Sequence, residues 1–593
     1  MVASCCGPFN GLSGGAVGRS ANKMGQIGMS ARKWKILFIY PPFLAPRIHA
    51  DEIRALPMGL YHVAAAMKAA GHEVILLNLN DHRPGMDQVM QMIREFQPKV
   101  VGFSILNANR WGGIDLARRI KALDAGIVTV FGGIGASTLW EHLLTHFEAI
   151  DYVVIGEGEN TFKGLVHCLA NQGGADIDRL GGLAFRRDGR PVRTPCDPFI
   201  EDLDHLPDPS RYFTYQHLSL TRGCPADCRF CGSPGFWGRR VRWHSPAYFV
   251  DQIERLASRG VSFFYFSDDT FTLRKQSVLA VCRAIIERGL AIHWAAISRV
   301  DTVDEEILRW MRRAGCIQIS YGIESANAEV RRFLDKRIKI EDVQAAFAAT
   351  RRCGILPRAY FIYGCPGDNE KTMQEALDLM RAIKPLGAIF YILDIFPGTR
   401  LYDDYRARTG RTDDLWLAPI EDMLYFETDP AMDKESVLAQ GRMLRDGFHR
   451  MLPTFAEDLE LLDDPEFYPL HADFLSRLAM TFHRGDYARI AAIPDKRQTA
   501  EKLYRRALTY APDARAFLGL GMLCQERGAY AAAAEILMRG LEQHPGDVEL
   551  QTCAALNDMN QGAYGQALER LLQLEATPQV RQWIDHCQAA VGS

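Results

Sequence analysis

Short, almost wholly apolar runs alternate with helical patterns along the first third of this 593-residue chain, and this alternation limits the folds open to it. A run that is apolar at consecutive residues indicates a strand covered on both faces, because a half-exposed strand alternates apolar and polar residues. Strands separated by helices pair in parallel, with helices on both faces of the sheet. We therefore predict a doubly wound α/β domain over residues 33–195. Its strands are predicted at Lys35–Tyr40, Glu73–Asn78, Val100–Ile105, Ile127–Phe131 and Tyr152–Ile155.

A second block with the same alternation covers residues 205–430 and follows a proline-rich acidic stretch that is typical of a linker. Six strand–helix units in succession favour a partial (β/α)6 barrel, and such barrels carry their chemistry at the carboxyl ends of the strands. The predicted strands are His217–Thr221, Ser262–Ser267, Ile292–Ile297, Ile317–Tyr321, Pro357–Tyr363 and Ala388–Ile395.

Residues 435–593 show no strand pattern, and part of this region repeats after 34 residues. Gly528 and Tyr530 recur as Gly562 and Tyr564 at that interval. A period of this length resembles tetratricopeptide repeats, in which pairs of helices stack on their neighbours. We predict an all-α region with tetratricopeptide-like repeats that provides a site for a protein partner. The first 32 residues, rich in Gly, Ser and Ala, are predicted to form a disordered leader.

Composition excludes several classes of protein. The net charge is -3, and no long basic run is present, so we expect no nucleic-acid binding. No stretch approaches the roughly 20 apolar residues of a membrane span. The 14 cysteines are scattered along a long chain, which favours a reducing compartment over a disulfide framework. We therefore predict a cytoplasmic protein without a transmembrane segment.

The segment LTRGCPADCRFCGSPGFWG carries Cys224, Cys228 and Cys231 in the spacing Cys-x3-Cys-x2-Cys. Three thiolates on one loop can hold three irons of a 4Fe-4S cluster and leave the fourth iron open to a small molecule. The loop directly follows an apolar strand, where a barrel keeps its active site. A zinc site is the alternative, but zinc motifs usually pair this spacing with a second Cys or His pair, and only His244 follows nearby.

The cysteine spacing, Phe230 before the last cysteine and the position after the first barrel strand resemble the radical S-adenosylmethionine (SAM) superfamily. The resemblance implies that SAM chelates the open iron and is split to a 5′-deoxyadenosyl radical by an electron from a low-potential donor such as flavodoxin or ferredoxin. It also implies SAM contacts after the later barrel strands. In addition to Phe230, these residues are Asp268, Asp269, Ser298, Arg299 and Glu324.

Glycine-rich loops follow several strands of the first block and leave a backbone-lined edge where open α/β sheets bind flat cofactors. Together with the barrel they resemble the cobalamin-binding domain of cobalamin-dependent radical SAM proteins. The first strand is not followed by Asp-x-His-x-x-Gly, so we predict cobalamin without a histidine ligand on cobalt. A degenerate domain retained for packing is the alternative. The predicted cobalamin contacts are Pro42, Ser104, Gly132, Gly133, Gly156, Glu157 and Gly158.

The resemblance implies an enzyme that functionalises an unactivated carbon of a small molecule or lipid, and methyl transfer leads among the reactions. The segment GSPGFWGRRVRWHSP is similar to the anaerobic magnesium-protoporphyrin ester cyclase branch, so radical cyclisation or oxidation is the alternative. A scaffold that recruits partners through its repeats is the second alternative.

Overall fold

The computed structural model describes residues 33–44, 57–80, 85–171 and 176–591. The predicted leader lies outside these residues. Within them the chain divides into two compact units. The first comprises the residues up to Phe271 together with 332–336 and 392–432, and the second comprises 272–331, 337–391 and the residues from Asp433 onward.

The predicted doubly wound sheet is confirmed as a seven-stranded sheet in the order β2-β1-β3-β4-β5-β6-β7. Strands β1 to β5 pair in parallel, and β6 and β7 are antiparallel additions at one edge. The strands are β1 Lys35–Tyr40, β2 Glu73–Asn78, β3 Val100–Ser104, β4 Val128–Gly132, β5 Tyr152–Val154, β6 Leu183–Arg187 and β7 Arg190–Arg193. The helices are α1 Met58–Ala69, α2 Met86–Phe96, α3 Arg110–Leu123, α4 Ile134–Thr138, α5 Trp140–His146 and α6 Gly158–Asn171.

The core of this sheet explains why its strands are apolar throughout. Phe38 of β1 packs against Phe162 of α6, with ring centroids 5.0 Å apart. A Cβ atom on Gly102 of β3 would lie 2.7 Å from the Phe38 ring, so only glycine fits beside it. Strands covered on both faces need apolar residues on both faces, and this is the pattern that the sequence shows.

The hairpin of β6 and β7 was not predicted. Its turn consists of Asp188 and Gly189, with φ of 50° and 75°. Positive φ at both central residues is the geometry of a tight hairpin turn, and Asp-Gly between two short strands is its usual signature. The signal was therefore present in the sequence.

The predicted barrel is confirmed as a six-stranded sheet in the order β15-β14-β13-β12-β11-β8. Each pair whose register is described is parallel. The strands from this point are β8 His217–Leu218, β9 Thr221–Arg222, β10 Arg242–Trp243, β11 Phe263–Phe266, β12 His293–Ser298, β13 Cys316–Glu324, β14 Leu356–Tyr363 and β15 Gly387–Ile392. The helices are α7 Ser233–Trp237, α8 Pro246–Ala257, α9 Lys275–Glu287, α10 Glu305–Arg313, α11 Ala328–Phe333, α12 Ile340–Arg352, α13 Glu370–Ile383 and α14 Arg400–Thr409.

The described residues from Asp433 onward form an all-α region in the second unit, as predicted. Helices α19 and α20 start 34 residues before α21 and α22, since their first residues are Ala514, Tyr530, Val548 and Tyr564. That these pairs are tetratricopeptide repeats stays a prediction. The helices are α15 Lys434–Glu457, α16 Tyr468–His483, α17 Asp486–Arg489, α18 Lys496–Tyr510, α19 Ala514–Glu526, α20 Tyr530–Gln543, α21 Val548–Asn560, α22 Tyr564–Leu571 and α23 Pro578–Val591. None of the helices in the described part of the chain is long and apolar enough to cross a membrane.

Candidate functional site

The three predicted cluster ligands lie on one loop between β9 and α7. Cys224, Cys228 and Cys231 are half-buried and form no disulfide. The base of the loop is closed by β9, which pairs antiparallel with β10. Gly223 has φ of 101°, and a Cβ atom there would lie 2.8 Å from the Arg240 carbonyl oxygen. The loop therefore enters through a turn that only glycine makes without strain.

The electrostatics of this loop suit a positively charged metal group. Burial, together with the charges of Asp269 and the other two thiols, raises the pKa of Cys231 to about 12. Three thiolates this close are unstable without a cation, and iron or zinc removes that penalty by direct bonding. The donor set of three sulfurs on one loop fits a 4Fe-4S cluster with one iron left for a further ligand. The half-buried Phe230 lies within the same loop.

The two aspartates after β11 have different surroundings. Asp268 is buried, and its carboxylate accepts hydrogen bonds from the Thr221 amide at 2.6 Å and the Leu220 amide at 3.2 Å. Burial raises its pKa to about 6. Asp269 accepts a hydrogen bond from Ser233 Oγ at 2.6 Å, just beyond the last cluster cysteine. Asp268 thus fixes the strand before the loop, and Asp269 fixes the residues after it.

Thr270 and Ser233 are site residues that the sequence analysis missed. Thr270 Oγ1 lies 3.8 Å from Cys224 Sγ, and Ser233 is the partner of Asp269. Ser233 lies in the cysteine segment, and Thr270 directly follows the predicted SAM contact Asp269. Their hydroxyl groups gave no signal of their own, because Ser and Thr also occur commonly in turns and caps.

In the second unit, Ser298 ends β12 and is hydrogen bonded to Thr272 Oγ1. Arg299, the next residue, donates to Asp301 at 2.9 and 2.7 Å and to the Arg337 carbonyl oxygen at 3.2 Å. The predicted pairing of Arg299 with the SAM carboxylate would have to compete with Asp301.

Glu324 has the most unusual backbone of the predicted SAM contacts. It ends β13 with φ of 66°, is 6% exposed, and follows a register shift between β13 and β14. A left-handed non-glycine residue is strained, and strained residues concentrate at functional sites. The strained backbone is therefore independent support for a functional role of Glu324. The role of each predicted SAM contact stays a prediction.

The predicted cobalamin contacts line the carboxyl edge of the first sheet. Ser104 ends β3 and pairs in register with Gly132, which ends β4. A Cβ atom on Gly156 would meet nothing within 4 Å, whereas one on Gly133 would lie 2.8 Å from the Ile105 carbonyl oxygen. The Gly156 amide donates to Ser137 Oγ at 3.0 Å.

This edge fits a flat cofactor. Strand order reverses between β1 and β3, and open α/β sheets bind ligands at such a switch point. The half-buried Pro42 follows β1, and Gly158 begins α6 close to Val63. His49 and His82, the histidines nearest the ends of β1 and β2, lie outside the described residues, so cobalt without a histidine ligand stays a prediction.

Glu157 belongs to a buried ion-pair network. Its Oε1 accepts from Arg222 Nη1 at 2.5 Å and its Oε2 accepts from Arg242 Nη1 at 2.8 Å. Arg222 Nη2 also donates to Glu159 Oε1 at 2.7 Å. All four side chains are at most 9% exposed. Because both carboxylate oxygens are engaged, the predicted contact with cobalamin would be made by the backbone of Glu157. This contact stays a prediction.

Comparison with known protein families agrees with both parts of this geometry. The radical SAM superfamily model matches residues 218–380, and the B12 binding domain model matches residues 52–166. The chain contains a radical SAM domain and a B12-binding domain. An uncharacterized methyltransferase of Pyrococcus horikoshii is 28% identical over 381 residues, which are 62% of this chain and 82% of the relative. The anaerobic magnesium-protoporphyrin IX monomethyl ester cyclase of Rubrivivax gelatinosus is 29% identical over 391 residues, which are 62% of this chain and 70% of the relative.

Among solved structures, the radical SAM methyltransferase TsrM of Kitasatospora setae, with cobalamin and a [4Fe-4S] cluster bound, superposes with a TM-score of 0.57. The match covers 81% of this chain and 99% of TsrM at 18% identity, so it establishes the shared fold. With its radical SAM and B12-binding domains, the chain uses a 4Fe-4S cluster, SAM and cobalamin. An electron donor and a small-molecule substrate are its necessary partners.

Proposed function

We propose that this radical SAM protein transfers a methyl group to an unactivated carbon of a small molecule or lipid. One observation carries the proposal: the cluster loop and the cobalamin edge belong to the same compact unit and are joined by the buried pair Arg222–Glu157 at 2.5 Å. A chain that ties these two loops together is suited to use both cofactors in one reaction. The similarity to an uncharacterized methyltransferase supports the proposal.

When bound, the cluster and SAM supply a radical able to remove hydrogen from carbon, and cobalamin supplies methyl-group chemistry. The residues of the chain bind and orient these groups. Cys224, Cys228 and Cys231 hold the cluster. Asp269 and Glu324 are our foremost candidates for SAM contacts, because Asp269 lies beside the cluster loop and Glu324 has the strained backbone of a functional residue.

Gly156, where a Cβ atom would meet nothing within 4 Å, leaves this part of the cobalamin edge free of a side chain, so that a large planar group can approach the backbone. The radical chemistry needs a dry surrounding, because water competes for reactive intermediates.

We assign the low-potential electron donor to the flavodoxin or ferredoxin class. We also assign the protein to the cytoplasm, which agrees with the absence of disulfides among the described cysteines. The helical region remains our candidate for a protein partner.

The test is anaerobic reconstitution of the full chain with iron, sulfide and cobalamin, followed by reduction in the presence of SAM labelled on its methyl group and of cell extract as the source of substrate. We expect four irons per chain, S-adenosylhomocysteine and labelled product. Cys228→Ala is expected to lose the iron, and the control Cys524→Ala in α19 is expected to keep it. A chain that takes up neither iron nor cobalamin and leaves SAM intact contradicts the proposal and favours the scaffold.

Radical cyclisation or oxidation is the second candidate function, favoured by the similarity to the ester cyclase. The same experiment separates the two reactions. Methionine and 5′-deoxyadenosine without S-adenosylhomocysteine, and without labelled product, would favour cyclisation over methyl transfer.

A further inference from the structure

Two histidines stand one turn apart on α5, a helix that carries none of the predicted cluster, SAM or cobalamin contacts. His142 and His146 have the i, i+4 spacing that sets two imidazoles on one face of a helix, as in helical zinc motifs. The carboxylate of Asp414 faces them, with Oδ1 3.3 Å from His146 Nε2. One ligand atom from each of the three residues lies within 4.8 Å of the others.

His142 is the observation that points to a ligand. Its side chain is 5% exposed, and neither ring nitrogen has a hydrogen-bond partner among the described residues. Buried polar atoms nearly always have partners, and an exception calls for a bound water, an ion or a special role.

The set of donors selects the metal. Two imidazole nitrogens and one carboxylate oxygen suit zinc and related divalent transition metals, whereas magnesium and calcium prefer oxygen alone. Ligands about 2.0–2.1 Å from a tetrahedral zinc lie about 3.3 Å apart. The pair His146–Asp414 already has this spacing, and a ring nitrogen of His142 lies within 4.8 Å of both ligand atoms.

The charged side chains next to His142, His146 and Asp414 are engaged elsewhere and do not compete with a metal for these ligands. Asp413, next to Asp414, is engaged with the Tyr402 hydroxyl at 2.7 Å. The nearby cation, Arg110, is turned to the Trp416 carbonyl oxygen at 3.1 Å and lies over the Trp416 ring. The Asp413–Leu417 turn therefore presents the Asp414 carboxylate to α5 while its neighbours are fixed by other contacts.

We propose that His142, His146 and Asp414 form a zinc site that fastens α5 to the Asp413–Leu417 turn. Three protein ligands leave a fourth position for water or for an exchangeable ligand. This is the coordination of an open zinc site, in contrast to a closed structural site with four protein ligands. The site is independent of the proposed methyl transfer and of the three cluster cysteines.

The experiment uses the full chain with its cluster assembled, so that the three thiols of the cluster loop are occupied. Loosely held metal is removed with a chelator, zinc is added, and the bound zinc is counted after dialysis. We expect one zinc per chain. The zinc-edge X-ray absorption is expected to show only nitrogen and oxygen neighbours, at about 2.0–2.2 Å.

His146→Gln and Asp414→Asn are expected to weaken zinc binding at least about tenfold, in line with the effect of altering the surroundings of known sites. Their side chains are 31% and 66% exposed, so both variants should fold, and circular dichroism checks this. His167→Gln, an exposed histidine on α6, is the matched control and should bind zinc as the wild type does. Zinc absent from the wild type, sulfur neighbours at about 2.3 Å, or equal zinc in all variants would overturn the proposal.

Discussion

Arg222 stands two residues before the first cluster cysteine and holds two carboxylates of the first domain. Replacing it with methionine keeps most of its hydrocarbon volume and removes the charge. Glu157 retains Arg242, but Glu159, whose side chain is 4% exposed, loses the Arg222 donor on its Oε1. The network then changes from two cations and two anions to one cation and two anions.

The expected magnitude follows from this imbalance. Removing one member of a buried ion pair costs about 3–5 kcal/mol, because the remaining charge is left without compensation. Glu157 and Glu159 hold the pKa of Arg222 above its usual value in spite of its burial, which agrees with strong pairing. We therefore expect Arg222→Met to destabilise the base of the cluster loop by about 3–5 kcal/mol.

A double variant tests the cause. Arg222→Met with Glu159→Gln restores neutrality, since Arg242 and Glu157 still balance each other. We expect the double variant to recover about 2 kcal/mol or more of the loss, because an uncharged buried amide costs less than an unpaired carboxylate. The matched control is Arg240→Met, which breaks the exposed Arg240–Glu201 pair and should cost no more than about 1 kcal/mol.

The assay is amide hydrogen exchange read by mass spectrometry on peptides that include β9 and β10, which reports local opening. At about 1.4 kcal/mol per tenfold, Arg222→Met should speed exchange there by about a hundredfold to a few thousandfold. If Arg222→Met behaves like Arg240→Met, or if the double variant is no more protected than the single one, the buried network does not hold the loop.

Three further predictions follow from other positions. Gly156 and Gly189 both have positive φ and free space around a Cβ atom. Alanine at either position should therefore lower the free energy of unfolding by about 1–2 kcal/mol. Only Gly156→Ala should weaken cobalamin binding in equilibrium dialysis. Burial lowers the pKa of His471 to about 4 in the folded protein. Unfolding therefore takes up a proton between about pH 6.5 and 4. As the pH falls through that window, up to about 3 kcal/mol of stability should be lost. His471→Gln should flatten this dependence of the urea midpoint, and His586→Gln, at an exposed position, should not. Removal of iron should speed exchange within residues 224–231 and leave Thr221 protected, because the Thr221 amide is held by Asp268. Equal exchange at both places would contradict this.

Both sheets could be predicted because their strands show local patterns. The predicted bounds of β1 and β2 agree with the structure to the residue, since a continuous apolar run ends where the strand leaves the core. The cluster loop was equally local, because three cysteines within eight residues define a site without knowledge of the fold. The Asp188–Gly189 turn also carried its own signal, and it was missed because it lies between strands of only five and four residues.

The partners of Glu157 could not be predicted in this way. Its glycine neighbours indicated a cofactor loop, but Arg222 and Arg242 stand 65 and 85 residues later in the chain. Nothing in the local sequence distinguishes a carboxylate that faces a ligand from one that pairs with a distant arginine. Likewise, Asp268 and Asp269 are identical in type and adjacent, and only the fold directs one to the strand before the loop and the other to the residues after it.

These contacts explain how the chain prepares the cluster loop before any metal is present. Thr221 and Arg222 fix its entrance through Asp268 and the two glutamates, and Ser233 fixes its exit through Asp269. Between these points, Thr270 Oγ1 lies 3.8 Å from Cys224 Sγ. A loop whose two ends are fixed limits the entropy lost on binding iron, while the thiols between the ends keep the freedom to adjust to the cluster. Because Glu157 also lies between Gly156 and Gly158, the contacts that fix the entrance of the cluster loop also fix the loop assigned to cobalamin.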